Sequence, residues 1–185
     1  MANIVNGFAY PALGATSSSP SIAVGTVVTL DDGGMAVYVQ AASALSQYNA
    51  VCIPNTNIAT NATTARVAAT KRVGFAQVSI ASGDYGWVHL GGKVRVKVSA
   101  SCLPAVALYT TTTEGLLDDA TVSGALVAGV VTEVTASATS AMTAVAAYTM
   151  VIPVPSNATP SCNLWRSRFR LQAIRRSFAP TFALP

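Results

Sequence analysis

Charge is what this chain has least of. Only 10% of its 185 residues are Asp, Glu, Lys or Arg, where a soluble domain averages about a quarter. Histidine occurs once, as His89, so a Ser–His–Asp or Cys–His centre would have a single residue to build on. The three cysteines, Cys52, Cys102 and Cys162, are too few and too scattered for a disulfide framework or a zinc site. An odd number without export suggests reduced, mostly buried thiols. Long apolar runs are missing too. The stretches around 125–131 and 144–154 are broken by Gly, Thr, Tyr and Pro, and neither approaches the roughly 20 residues of a membrane helix. GxSxG, GxGxxG and the phosphate-loop pattern do not occur. The first residues, MANIVNGFAYPALGAT, have no basic region and no apolar core, so no secretory signal is expected. The glycosylation patterns at Asn61 and Asn157 then carry no weight.

What is present is Ala and Val, with Thr and Ser as the main polar residues, in a chain that is 51% hydrophobic. That composition suits tightly packed strands. So few charges defend a monomer poorly against association, which suggests a surface covered by neighbouring subunits. The charge that exists is unevenly placed. Residues 1–160 hold six basic residues and all seven acids, a net of −1, while residues 161–185 hold five arginines and no acid, a net of +5. The basicity of the chain is a property of its tail.

The segment Val73–Val98 has the clearest pattern. Lys93, Arg95 and Lys97 alternate with Val94, Val96 and Val98, a period of two that makes one polar and one apolar strand face. Turns are expected at Ser82-Gly83-Asp84 and at Gly91-Gly92, which would divide the segment into three short strands. Upstream, Thr26–Leu30 and Met35–Gln40 flank Asp-Asp-Gly-Gly and read as a hairpin. Further strands are expected at Ala50–Ile53 (stopped by Pro54), Arg66–Ala69, Ala105–Thr110, Ala125–Thr135 and Val145–Pro153. Ala41–Gln47 reads as a helical turn or a connection, Asn55–Thr64 as a polar surface loop and Thr111–Ala120 as a turn region. The spacing predicts an all-β, antiparallel sandwich or barrel, with an extended arm (1–22), a β-rich domain (23–155) and an Arg/aromatic tail (156–185).

No residue set argues for catalysis. His89 shares strand parity with Tyr85 and Trp87, a setting more typical of packing or an interface. Six of the seven acids fall in turns, where backbone geometry accounts for them. Asp118-Asp119 could meet a cation, but two carboxylates fall short of a calcium site. The stripe Lys93, Arg95, Lys97 reads first as a solvated face. In the arm, Phe8 and Tyr10 lack a periodic pattern, and two readings stay open: contact with a partner, or an untethered terminus. In the tail, Trp165, Arg166, Arg168, Phe169, Arg170, Arg175 and Arg176 interleave arginines with aromatics, as binding hot spots do. These, with Phe8 and Tyr10, are the candidate partner-binding residues. No cofactor, metal or small-molecule substrate is expected.

The runs GGMAVYVQA, RVGFAQVSIASGDYGWVHLGGKVRVKV, ALYTTTTEGLLDD and GALVAGVV resemble the capsid decoration (cement) proteins of tailed bacteriophages. Members of that family share a strand ending in GVAQ, a turn followed by YGWV, a Gly-containing hairpin and an LYTT-like strand before a Gly-Leu-Asp turn. Here these correspond to Val73–Gln77, Tyr85–Val88, Gly91–Gly92, Leu108–Thr112 and Gly115–Asp119. The resemblance covers roughly residues 23–152 and excludes the arm and tail. It implies a β-tulip-like fold, a homotrimer, and a place on the capsid exterior of a virion assembled in the host cytoplasm, with the major capsid protein as partner. It implies no membrane association, and the near-neutral body speaks against nucleic acid as the main partner. A second expectation is a virion surface adhesin that binds the host through loops such as Asn55–Thr64.

Overall fold

The computed structural model describes residues 4, 10–70, 72–120, 125–133, 136 and 140–153, with residue 125 and residues 140–153 described by backbone alone. The chain divides into two units, Met1–Pro155 and Ser156–Pro185, and every described residue belongs to the first. Among the described residues, ten strands and one short helix follow in chain order: β1 (Val27–Thr29), β2 (Met35–Ala41), β3 (Ala50–Cys52), β4 (Ile58–Asn61), α1 (Thr64–Thr70), β5 (Val73–Ala76), β6 (Tyr85–Val98), β7 (Ala107–Thr110), β8 (Leu117–Asp118), β9 (Ala125–Thr132) and β10 (Ser140–Pro153). All ten strands join one mixed sheet, so the protein is of the all-β class.

The pairings in this sheet return on themselves twice. One circuit runs β2–β4–β3–β5–β6 and back to β2. The other runs β6–β10–β9–β7–β8 and back to β6. The 14-residue β6 belongs to both. Its first half pairs with β2 through Met35↔Gly91, and its second half pairs with β10 from Gly92 onward. Each circuit contains one parallel pair, β2–β4 and β6–β8. This corrects the expected purely antiparallel sheet. A parallel pair needs a crossover, and in each case the intervening strand supplies it.

The Gly91-Gly92 hairpin is the main correction to the strand reading. The chain does not reverse there. Leu90 is an extra residue opposite the Met35–Ala36 step, since Met35 pairs with Gly91 and Ala36 with His89. This is a β-bulge, which bends a strand without ending it. Gly92 has φ +88°, and a Cβ on it would lie 2.8 Å from the Gly34 Cα. Gly34 lies at the end of the Asp31–Gly34 turn, where Asp32 Oδ1 accepts the Gly34 N–H at 2.8 Å. The glycines therefore permit a close backbone approach between the β1–β2 turn and β6. The β1–β2 hairpin itself forms as expected, with Val27↔Val37 and Thr29↔Met35 in register.

Two further elements differ from expectation. Arg66–Ala69 lies in α1, where a strand was expected. Thr63 caps this helix, its Oγ1 accepting the Arg66 N–H at 3.4 Å, and Ala65, Ala68 and Ala69 are strong helix formers. Only Val67 of α1 is buried, so a single turn facing inward leaves no helical period to read. The polar stretch Asn55–Thr64 contains β4, which pairs with both β2 and β3. Its IATN sequence lacks the apolar alternation of a half-buried strand.

Three apolar clusters hold the body. Val37, Val39 and Ala41 of β2 meet Val51, Ile53, Ala59, Ala76, Val88 and Leu90. Val94, Val96 and Val98 of β6 meet Leu108, Leu117, Val127 and Val130, together with Phe75 and Val67. The third covers the other face of β2 and β6, where Tyr38, Trp87, Val28 and Leu30 pack with Tyr10, Leu13, Ile22 and Tyr85. Residues 10–22 therefore lie on their own chain. Trp87 Nε1 donates to the Pro11 carbonyl at 3.0 Å, and Ser17 and Tyr85 exchange backbone hydrogen bonds of 3.1 and 2.8 Å. Over residues 10–22 the arm is therefore tethered by intramolecular packing, in place of an untethered terminus.

Candidate functional site

The polar face of β6 alternates with its buried face as expected: Lys93 and Arg95 are exposed, and Val94, Val96 and Val98 are buried. The structure adds neighbours that strand parity alone does not show. Lys93 Nζ lies 3.2 Å from Glu133 Oε1, an ion pair on the surface. The Arg95 guanidinium sits over the Tyr48 ring, 5.6 Å from its centroid, and its Nη1 donates to the Tyr48 hydroxyl at 3.4 Å. Gln77 brackets the Arg95 backbone. Its Nε2 donates to the Arg95 carbonyl and its Oε1 accepts the Arg95 N–H, both at 3.0 Å. Gln77 is thus a side-chain substitute for a strand rung, and it holds the base of the arginine.

Tyr48 has φ +67°, a left-handed conformation that is uncommon for a bulky residue. Backbone bonds impose it: Tyr48 N–H donates to the Ala76 carbonyl at 2.6 Å, and the Tyr48 carbonyl accepts the Lys97 N–H at 2.8 Å. The ring is delivered to Arg95 by the chain on both sides of it. The result is a preordered arginine–aromatic pair with a planar cation facing solvent. Such a pair is suited to carboxylate recognition, because little side-chain freedom is left to lose. Tyr48 was not among the candidate residues, and its only sequence signal was an isolated aromatic between polar neighbours.

A second polar network lies under α1. The Asn49 Nδ2 donates to Asn61 Oδ1 at 2.9 Å, and the Asn61 Nδ2 donates to the Ala44 carbonyl at 2.9 Å. Arg66 Nη1 donates to the Asn61 carbonyl at 3.1 Å and to Glu114 Oε1 at 2.6 Å. Asn61 is buried, so its glycosylation pattern is closed off by the fold.

Three groups often used in nucleophilic or acid–base chemistry, His89, Cys52 and Cys102, are buried. His89 is buried, with its Nδ1 lacking a hydrogen-bond partner. Burial lowers its pKa below the ordinary value, and Asp32 opposes that shift by less. Cys52 and Cys102 are buried and unbridged. Burial raises the Cys52 thiol, partly offset by its hydrogen bond with Thr70. Burial, reinforced by charge from Asp119 and Asp118, pushes the Cys102 thiol up to about 11. Asp119 is held below the usual carboxylate range chiefly by the Leu103 N–H, which it accepts at 2.9 Å.

Of the candidate partner-binding residues, the structure describes Tyr10 alone. Its ring meets Trp87 edge-on, with centroids 6.1 Å apart, and so part of its surface is committed to its own chain. Phe8, Trp165, Arg166, Arg168, Phe169, Arg170, Arg175 and Arg176 lie outside the described residues, as does Cys162. Among the described residues no helix is long and apolar enough to cross a membrane. No family model matches the chain, and no curated protein matches it.

Proposed function

We propose that this chain is a non-enzymatic structural protein of a tailed-phage virion. It binds the outside of the head and clamps adjacent major capsid subunits, working as a homotrimer. The observation that carries this reading is the outward face of β6. It presents a preordered Arg95–Tyr48 pair on a strand shared by both pairing circuits. An anchor of this kind gains affinity from rigidity, because its side-chain order is set before binding. The burial of His89, Cys52 and Cys102 supports a binding role over a chemical one. The two closed circuits favour the barrel form of the expected fold over the sandwich, and closure leaves few strand edges open to unplanned pairing. The sequence resemblance supplies the identity of the partner.

The test is binding of the full chain to purified undecorated heads, read by co-sedimentation and by the melting temperature of the heads. Binding with a higher melting temperature is expected. Arg95→Ala combined with Tyr48→Ala should weaken it by about ten-fold or more, as loss of a hot-spot pair does. A chain ending at Thr159 tests the tail separately. Absence of head binding by the full chain refutes the proposal. Binding to host cells in its place would establish the adhesin.

A further inference from the structure

One cluster plays no part in the proposed function, and it lies where the second circuit closes. Cys102 Sγ and a carboxylate oxygen from each of Asp118 and Asp119 lie within 4.8 Å of one another. They come from two segments 16 residues apart. Cys102 lies in the connection after β6, and Asp118 directly follows Leu117, whose pairing with Val98 is the rung that joins β6 to β8. Cys102 Sγ donates to Asp118 Oδ1 at 3.7 Å. Asp119 Oδ2 accepts the Leu103 N–H at 2.9 Å, which orients that carboxylate. The thiol is fully buried, and the two carboxylates are partly exposed. The ion pairs among the described residues are Arg66–Glu114 and Lys93–Glu133. Among the described residues, no cationic side chain is paired to these two carboxylates.

We propose that Cys102, Asp118 and Asp119 form a site for a divalent transition-metal ion of the zinc type. The donors would be one thiolate sulfur and two carboxylate oxygens, with water as the fourth ligand. The donor set selects the ion. Calcium takes about six to eight oxygens, and this corner offers a sulfur in place of one. Zinc accepts mixed sulfur and oxygen donors at about 2.3 and 2.0–2.2 Å. Reaching those lengths draws the donor atoms closer than the 4.8 Å within which they now lie. On binding, the S–H bond breaks, the S–metal bond forms and the proton leaves to solvent. The bound ion would tie the Cys102 connection to β8 and so reinforce the single Val98–Leu117 rung. This inference does not depend on the virion reading.

The test uses the full chain, stripped of metal by dialysis against chelator and titrated with Co²⁺ at pH ~8, where the metal competes well with the thiol proton. Saturation at one ion per chain is expected, with a thiolate-to-cobalt charge-transfer band, visible bands of tetrahedral cobalt and release of one proton. Zinc should displace the cobalt and raise the melting temperature of the protein. Cys102→Ser should abolish the charge-transfer band. Asp119→Asn should keep the band and weaken binding by about ten-fold or more, which keeps the proposal testable if the serine variant fails to fold. Cys52→Ser and Cys162→Ser should change nothing. The proposal is overturned if the wild-type chain shows no charge-transfer band, if the band survives Cys102→Ser, or if it follows Cys162. Binding of Ca²⁺ or Mg²⁺ with no sulfur signal would mark a carboxylate-only site and overturn it equally.

Discussion

Replacing Gly92 with alanine tests the close crossing between the β1–β2 turn and β6. Two costs are expected. The first is conformational: Gly92 has φ +88°, and an L-residue in left-handed backbone costs about 1–2 kcal/mol. The second is steric. The new Cβ would lie 2.8 Å from the Gly34 Cα and 3.0 Å from Asp32 Oδ2. The first of these is backbone and cannot rotate away, and overpacking of this kind costs about 1–3 kcal/mol. Alanine also restricts the unfolded chain, which offsets about 0.4–1 kcal/mol. The net loss should be about 2–4 kcal/mol. Gly83 is the internal control. It has nearly the same φ, +87°, but a Cβ there meets nothing within 4 Å. Gly83→Ala then carries the conformational cost alone, about 1 kcal/mol after the same offset. Urea unfolding followed by circular dichroism measures both variants, and the difference between them isolates the steric part. Asparagine separates the structure from the sequence-level hairpin, because Asn enters left-handed backbone readily. It should be tolerated at position 83 and poorly tolerated at 92. Equal losses for Gly83→Ala and Gly92→Ala would refute the crossing.

Three other outcomes follow from the same structure. His89 titrates lower when folded than when unfolded, so the unfolded chain binds more protons. Its stabilising contribution is then complete above about pH 6.5 and falls as pH drops below it, by at most about 1.4 kcal/mol per pH unit. Unfolding free energies between pH 7.5 and 5 should show that slope in the wild type and lose it in His89→Gln. Tyr10→Ala removes the edge-on contact with Trp87 and should cost about 0.5–1.5 kcal/mol beyond the lost burial. Measured in a Trp165→Phe background, the Trp87 emission should shift to the red, and an unchanged spectrum would show that the arm does not cover Trp87. Leu117→Ala empties a fully buried site at the closing rung of the second circuit and should cost about 2–5 kcal/mol. Val131→Ala, at an exposed position, should stay within about 0.5 kcal/mol, and similar losses for the two would contradict the burial assignment.

Much of the local structure was legible before folding, because it depends on neighbours in sequence. Alternating Lys/Arg and Val between residues 93 and 98 set the two faces of β6. Asp-Gly chemistry set the β1–β2 turn. The spacing of short alternating runs between turn signals set the all-β class. The parts that were not legible depend on what lies opposite in space. Gly91-Gly92 has the chemistry of a turn, and only the approach of Gly34 from another strand makes it a bulge in a continuous one. The IATN of β4 has no apolar period, and it becomes a strand because β2 and β3 offer it hydrogen bonds on both sides. Arg95 belonged to a stripe of solvated cations until the backbone turned Tyr48 under it. Asp118 and Asp119 were two turn acids until β6 and β8 paired and brought Cys102 to them. Periodicity and turn chemistry are local quantities that the chain carries by itself. Register, close approach and the meeting of distant side chains belong to strand pairing, which no single segment encodes.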